Sequence, residues 1–325
     1  MEQRTIRICA AVLLCAVMLR LYSTGWQEQV EEILSQPNIA AFLIYLETGR
    51  DVRFSPSSQA FSPGFVETPP PLLPETTEPT EPELPSFSDP EVVNVYYACP
   101  VEPDLSSLLA QPLNWSLKGE EPAVLILHTH STESYTRAGE DYRETSSWRT
   151  LDENYNMLSV GQRVAQLLEE NGIAVVQDRS LHDYPSYNGS YVDARKSIRE
   201  YLEEYPSVKL VLDLHRDALE NENGQIRTWA TVDGQTSAQL MLVVGTNHEA
   251  YEENLSLALK LHAQLETASP GLMRPLQLRG QRFNQDLSTG ALLIEVGTAG
   301  NTHREAMVAA EALAAGIIAL AGGTE

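Results

Sequence analysis

Three short, mostly apolar runs in this chain each end on side chains that bind metal ions or carry protons, and they limit the fold more than any other feature. Residues 123–127 lead into His128-Thr-His130, residues 208–214 into His215-Arg-Asp217, and residues 291–294 into Glu295-Val-Gly297. Apolar stretches of this length, bounded by polar residues, suit strands buried on both faces of a sheet. Between them the apolar residues take helical spacing, as in Met157, Val160, Val164, Leu167 and Leu168, which Asn171-Gly172 stops. The pattern predicts strands over 124–128, 173–176, 208–214, 240–245 and 291–296, and helices over 155–170, 191–205, 252–267 and 304–321. Strands alternating with helices make an α/β fold, a mostly parallel mixed sheet flanked by helices. Residues 221–227 and 269–284 read as loops that shape a groove. In such a sheet the carboxyl ends of neighbouring strands open on one crevice. Residues far apart in sequence can meet there, and two imidazoles, a carboxylate ligand and a spare carboxylate are what a hydrolytic zinc site requires.

Composition closes off other classes. Of 325 residues, 42% are hydrophobic, enough for a core, and the formal net charge is −23. So acidic a chain lacks the clustered Lys and Arg that neutralise phosphates, and no nucleic-acid role is expected. Cys9 and Cys15 lie in the apolar N-terminal segment, which leaves Cys99 alone in the rest. A metal must then be held by His and carboxylates rather than by a thiolate cluster.

The N-terminal third reads as an export and spacing device. Arg4 and Arg7 precede an apolar run from Ile8 to Leu19, and residues 22–26 offer a poor small-residue cleavage site. Residues 1–25 are therefore expected to be an uncleaved signal anchor with the N-terminus inside, a cleaved signal peptide being the alternative. Either would export the rest of the chain. Residues 26–54 form a juxtamembrane segment, and residues 55–91 a Pro- and Glu-rich linker that proline stiffens and like charges extend. Residues 92–325 make up the domain that carries the chemistry.

Each candidate residue has a plain structural reading beside its chemical one. His128 and His130 share a face if the strand runs on, and His130, further into the loop, is the preferred ligand. His215 is either a solvated strand end or a metal ligand placed where α/β enzymes keep their chemistry. Glu295 is an acid among apolar neighbours, so it must be paired, raised in pKa or near a metal. A general base beside a zinc site meets that condition; a strand-end Glu pointing at solvent is the plain reading. Asp152 precedes a helix and fits an N-cap, with Glu133 and Glu153 as rival carboxylate ligands. His262, in mid-helix, reads as surface, and His182, His248 and His303 have no supporting context.

Taken together, the segments resemble the stage II sporulation protein P family of endospore-forming bacteria. The resemblance runs through Leu127-His-Thr-His-Ser-Thr-Glu-Ser-Tyr135, Asn154-Tyr-Asn156, His182-Asp-Tyr-Pro-Ser-Tyr-Asn-Gly189, Leu212-Asp-Leu-His-Arg-Asp-Ala218, Arg282-Phe-Asn-Gln285 and Leu292-Leu-Ile-Glu-Val-Gly-Thr298. It implies a zinc-dependent N-acetylmuramoyl-L-alanine amidase fold and a peptidoglycan hydrolase that cuts both the muramoyl amide and the peptide cross-link. It also implies a role in forespore engulfment, a place in the cell membrane at the sporulation septum and engulfing membrane, and stage II sporulation proteins D and M as partners. The broader amidase pattern, carried onto this chain, implies His130, His215 and Asp152 as zinc ligands and Glu295 as general base. Asp152 there stands four residues before Asn156 where the pattern has Glu. Arg216 is a candidate for binding a stem-peptide carboxylate, or else a partner of Asp217. A wall-binding scaffold that keeps the fold without catalysis is the rival from another class, and a zinc peptidase without amidase activity is a third.

Overall fold

A computed structural model describes residues 92–113, 115–136, 148–222 and 224–321. The expected anchor, juxtamembrane segment and linker lie outside the described residues. Among those described, no helix is long and apolar enough to cross a membrane.

The strands are β1 (Val95–Ala98), β2 (Gly119–Leu127), β3 (Ile173–Gln177), β4 (Leu210–Asp217), β5 (Glu220–Asn221), β6 (Gly224–Gln225), β7 (Trp229–Val232), β8 (Gln235–Ala238), β9 (Leu240–Gly245), β10 (Leu276–Arg279) and β11 (Ala291–Thr298). The helices are α1 (Leu105–Ala110), α2 (Met157–Glu170), α3 (Ser190–Glu204), α4 (Tyr251–Ala268) and α5 (His303–Ala321). Seven strands form one sheet in the order β1-β10-β9-β11-β4-β2-β3. Every neighbouring pair in it is parallel except β9 and β11. The expected mostly parallel mixed sheet is what forms.

Side-chain alternation along the central strands divides the core in two. Val124 and Ile126 of β2, Leu212 and Leu214 of β4, and Leu292 and Ile294 of β11 face one side, where they pack with α2, α4 and α5. Leu125, Leu127, Val211 and Ala291 face the other, against Ala194 and Ile198 of α3. Period-two burial on both faces is the reason these strands read as unbroken apolar runs. The odd-numbered face also carries Asp213, His215 and Glu295, so the candidate residues leave the sheet on the α3 side.

Several expectations need correction. Asp152 is exposed and does not cap the helix; α2 starts at Met157, and its cap is Asn156, whose side chain accepts from Leu158 N at 3.0 Å. His262 is buried inside α4, because that helix is covered by α1 and α5. The stretch 269–284 contains β10, and 221–227 contains part of a two-stranded ribbon, β5 with β6. A second hairpin, β7 with β8, turns through Asp233 and Gly234 at φ 48° and 76°, the left-handed pair that a two-residue hairpin turn demands.

Candidate active site

The chain reaches the site by three routes. The first is the segment after β2, where the chain turns at Thr129 instead of continuing extended, so the two neighbouring histidines part company. His128 goes to the α2 side: its Nδ1 is 3.1 Å from Leu214 O, its Nε2 is 3.2 Å from Gln177 Nε2, and a Cβ on Gly161 of α2 would come within 2.5 Å of it. Both ring nitrogens are thus engaged in a neutral imidazole, and burial pushes its pKa down to about 4. His128 is a packed structural residue.

His130 lies on the opposite side, buried, with Nε2 3.1 Å from Tyr187 Oη and Nδ1 3.3 Å from Ser190 Oγ. Its ring stacks on Tyr187 and meets the His215 ring edge-on at 5.1 Å between centroids. The two residues that follow it are braced. Ser131 Oγ donates to His128 O and Ser180 O, and Thr132 donates through N and Oγ1 to Asp183, which Arg149 also binds.

The second route is β4, where Asp213 and His215 are two apart and therefore on one face. Asp213 accepts from Thr129 N at 2.8 Å and Thr129 Oγ1 at 2.6 Å, tying the β2 loop to the strand. Its Oδ1 is also 2.9 Å from His215 Nε2, an ion-pair contact between two buried groups. His215 Nδ1 is 3.8 Å from Glu133 Oε2. Burial opposes protonation of His215, yet the Asp213 carboxylate outweighs it, with Glu133 and Glu295 adding, and the imidazole is held above its ordinary range.

The third route is β11. Glu295 is the register partner of His215, so the two side chains leave adjacent parallel strands on the same face. Its residue is partly exposed as a whole, but its Oε2 is enclosed and without a hydrogen-bond partner. Burial, then the charges of Asp217 and Glu133, push its pKa up to about 8. Asp217 itself pairs with Arg274 at 2.8 Å.

Of the carboxylates weighed as ligands, Glu133 is the one beside the imidazoles. It is buried, accepts from Arg216 N at 3.2 Å, and lies 3.5 Å from Arg149 Nη2. Asp152 and Glu153 point elsewhere: Asp152 accepts from Asn154, and Glu153 pairs with Arg179. Arg216 is buried and donates to Ser134 O and Trp148 O, so it holds the surrounding loops together, and it is not the partner of Asp217.

The donor set fits zinc in kind, since two imidazoles and a carboxylate lie close together and buried. Its side chains are not arranged as a ligand shell. Among the described residues, no three His, Cys, Asp or Glu side chains are placed to hold one ion. The reason is local: His215 Nε2 leans on Asp213, and His130 Nε2 on Tyr187.

Sequence reasoning did not single out Asp213, Tyr187 or Tyr191. Tyr191, near the start of α3, lies against both imidazoles, edge to His130 at 5.5 Å and stacked on His215 at 6.4 Å. The turn Arg282-Phe-Asn-Gln285 supports it from behind: Phe283 packs on its ring, and Asn284 donates to its carbonyl at 2.8 Å. Asp213 had a readable signal, being an acid inside an apolar run like Glu295.

A family model described as Stage II sporulation protein P (SpoIIP) matches residues 74–318. Stage II sporulation protein P of Bacillus subtilis (strain 168) is 31% identical over 207 residues, 60% of this chain and 50% of that protein. The chain thus spans about half the length of the curated relative it matches. Among solved structures, the N-acetylmuramoyl-L-alanine amidase AmiC2 of Nostoc punctiforme is similar at 15% identity and a TM-score of 0.38, over 61% of this chain and 97% of that one. The CwlD amidase from Clostridioides difficile, solved in complex with the GerS lipoprotein, is similar at 14% identity and a TM-score of 0.39, over 60% and 96%.

Proposed function

The chain belongs to the stage II sporulation protein P family, and from that premise we propose that it is a peptidoglycan hydrolase of sporulating cells, a zinc-dependent N-acetylmuramoyl-L-alanine amidase that also cuts peptide cross-links. The observation that carries the reading is the convergence of His130, His215, Glu133 and Glu295 at the carboxyl ends of β2, β4 and β11. Acidic and imidazole side chains are costly to bury together without a shared task.

His130, His215 and Glu133 would hold the zinc, which would supply an activated water and a polarised amide carbonyl. The rest falls to the chain itself. Asp213 holds the His130 loop through Thr129 and leans on His215, fixing both imidazoles. Glu295 takes a proton from the attacking water and delivers it to the leaving nitrogen, so the amide C–N bond breaks as the new C–O bond forms. A carboxyl raised well above its ordinary range is suited to carrying a proton in both directions near neutrality. No hydrogen bond to a neighbouring side chain holds its Oε2.

The family resemblance extends the proposal to the setting: anchored in the membrane by its N-terminal segment, acting outside it during engulfment, with stage II sporulation proteins D and M as partners. The test is Glu295→Gln. That variant should keep its zinc and lose cell-wall solubilisation, and retained hydrolysis would exclude this base. Mass spectrometry of digested peptidoglycan then reports which bonds are cut: free stem peptides mark the amidase, separated cross-links the endopeptidase. A protein that holds no zinc and releases neither product is a wall-binding scaffold.

A further inference from the structure

Tyr187 stands between the buried imidazoles and solvent. Its ring stacks on His130 with centroids 4.5 Å apart, its Oη is 3.1 Å from His130 Nε2, and the Arg149 guanidinium lies over it, 4.6 Å from the ring centroid. Even so, 47% of the residue remains exposed. The two partners of His130 differ in kind. Ser190, on Nδ1, is buried at the first position of α3 and fixed by that helix. Tyr187, on Nε2, belongs to the segment between β3 and α3 and not to a helix or strand. A histidine that binds a metal through one nitrogen usually keeps a second-nitrogen partner that orients it. Ser190 suits that fixed role, and Tyr187 suits the exchangeable one.

A phenol so close to a ligand nitrogen lies beside whatever that nitrogen holds. Its O–H is a neutral donor, and the Arg149 guanidinium over the ring draws electron density from it, which strengthens the donor. We propose that Tyr187 is a catalytic residue of the hydrolysis assigned to this site: its hydroxyl leaves His130 Nε2 when that nitrogen binds the metal ion, and donates a hydrogen bond to the substrate carbonyl oxygen as that oxygen gains negative charge. The phenol keeps its proton throughout. The inference rests on the hydrolase reading and adds to it the group that stabilises the developing charge, a task worth roughly 10²–10³ in kcat where one donor has been removed from other enzymes.

Tyr187→Phe in the full chain is the test, since it keeps the ring stack and removes the donor. Two quantities are read, zinc affinity by competition with a chromophoric chelator, and kcat and KM on a muropeptide that carries the muramoyl–L-alanine amide. With the hydroxyl gone, zinc affinity should hold or rise, because nothing competes for Nε2; kcat should fall about 100-fold with KM nearly unchanged. A kcat within about threefold of the parent overturns the assignment. So does a loss of zinc affinity that parallels the loss of rate, which is what a merely structural tyrosine would give. A zinc-loaded parent that cuts no amide sinks the hydrolase reading and this assignment with it, whereas an active parent with an equally active variant sinks the assignment alone.

Discussion

Asp213 serves two neighbours with one carboxylate. It accepts from the backbone and hydroxyl of Thr129, which sets the course of the loop carrying His130, and it presses Oδ1 to within 2.9 Å of His215. An Asn in its place keeps the size but brings an N–H toward groups that are themselves donors, and it removes the charge that holds His215. Asp213→Asn should therefore lower zinc affinity about 10- to 100-fold, the range seen when groups behind a metal ligand are changed. Chelator competition measures it, and an unchanged affinity would confine Asp213 to holding the loop. At this scale the sequence is partly legible. Glu295 stands out because an acid inside an apolar strand must have a reason, and the same logic applies to Asp213 in Leu212-Asp-Leu214. The carboxylate proposed as ligand is not legible, because Glu133, Asp152 and Glu153 all fall in the stretch between β2 and α2. Only the fold turns Glu133 inward beside Arg216 and leaves Asp152 in solvent, bonded to Asn154.

The elements most readable in the sequence are those buried on two sides. β2, β4, β9 and β11 lie inside the sheet and read as mostly apolar runs because both of their faces are covered. β1 is an edge strand with Tyr96 and Tyr97 exposed, and β10 is four residues long, so neither leaves a clear pattern. The β7–β8 hairpin has its signal in Asp233-Gly234, a turn pair flanked by Val232 and Gln235. Helix α4 differs from expectation in character rather than position. His262 reads as surface in the sequence, yet it is buried with Nδ1 lacking a partner, and burial pushes its pKa down to about 4. The folded pKa lies below the unfolded value, near 6.5, so the unfolded chain binds more protons between those two values. Stability should rise with pH from about 4 to 6.5 and fall on acidification through that window. Between pH 7 and pH 5 the loss from this one residue is about 2 kcal/mol. His262→Leu should remove that share of the dependence. Denaturant midpoints of parent and variant at the two pH values check it; equal slopes against pH would mean that His262 gains a partner on protonation.

At the scale of the whole molecule, the question is where the domain begins. Strand β1 pairs with β10 along its full length, and α1 lies against α4, so the segment before β2 is part of the body of the domain. The attachment has a specific key. Leu108 and Leu109 of α1 are buried, and the Leu108 carbonyl accepts from Ser256 Oγ at 2.7 Å and from Lys260 Nζ at 2.9 Å. Lys260 is itself buried, and burial pushes its pKa down to about 8, so its ammonium depends on these few acceptors. Starting the chain at residue 112 removes the edge strand, the two leucines and the Leu108 carbonyl together. Burying one leucine is worth about 1.5–3 kcal/mol, and a buried charge stripped of a partner costs on the order of 3–5 kcal/mol. A fragment of residues 112–325 should therefore be markedly less stable than 92–325, seen as a lower denaturant midpoint. Lys260→Met should recover part of the loss in the shorter fragment, where the ammonium has lost the Leu108 carbonyl, and recover little in the longer one, where that acceptor remains. Equal midpoints for the two fragments would mean that α1 only rests on the surface, and that the folded unit starts with β2.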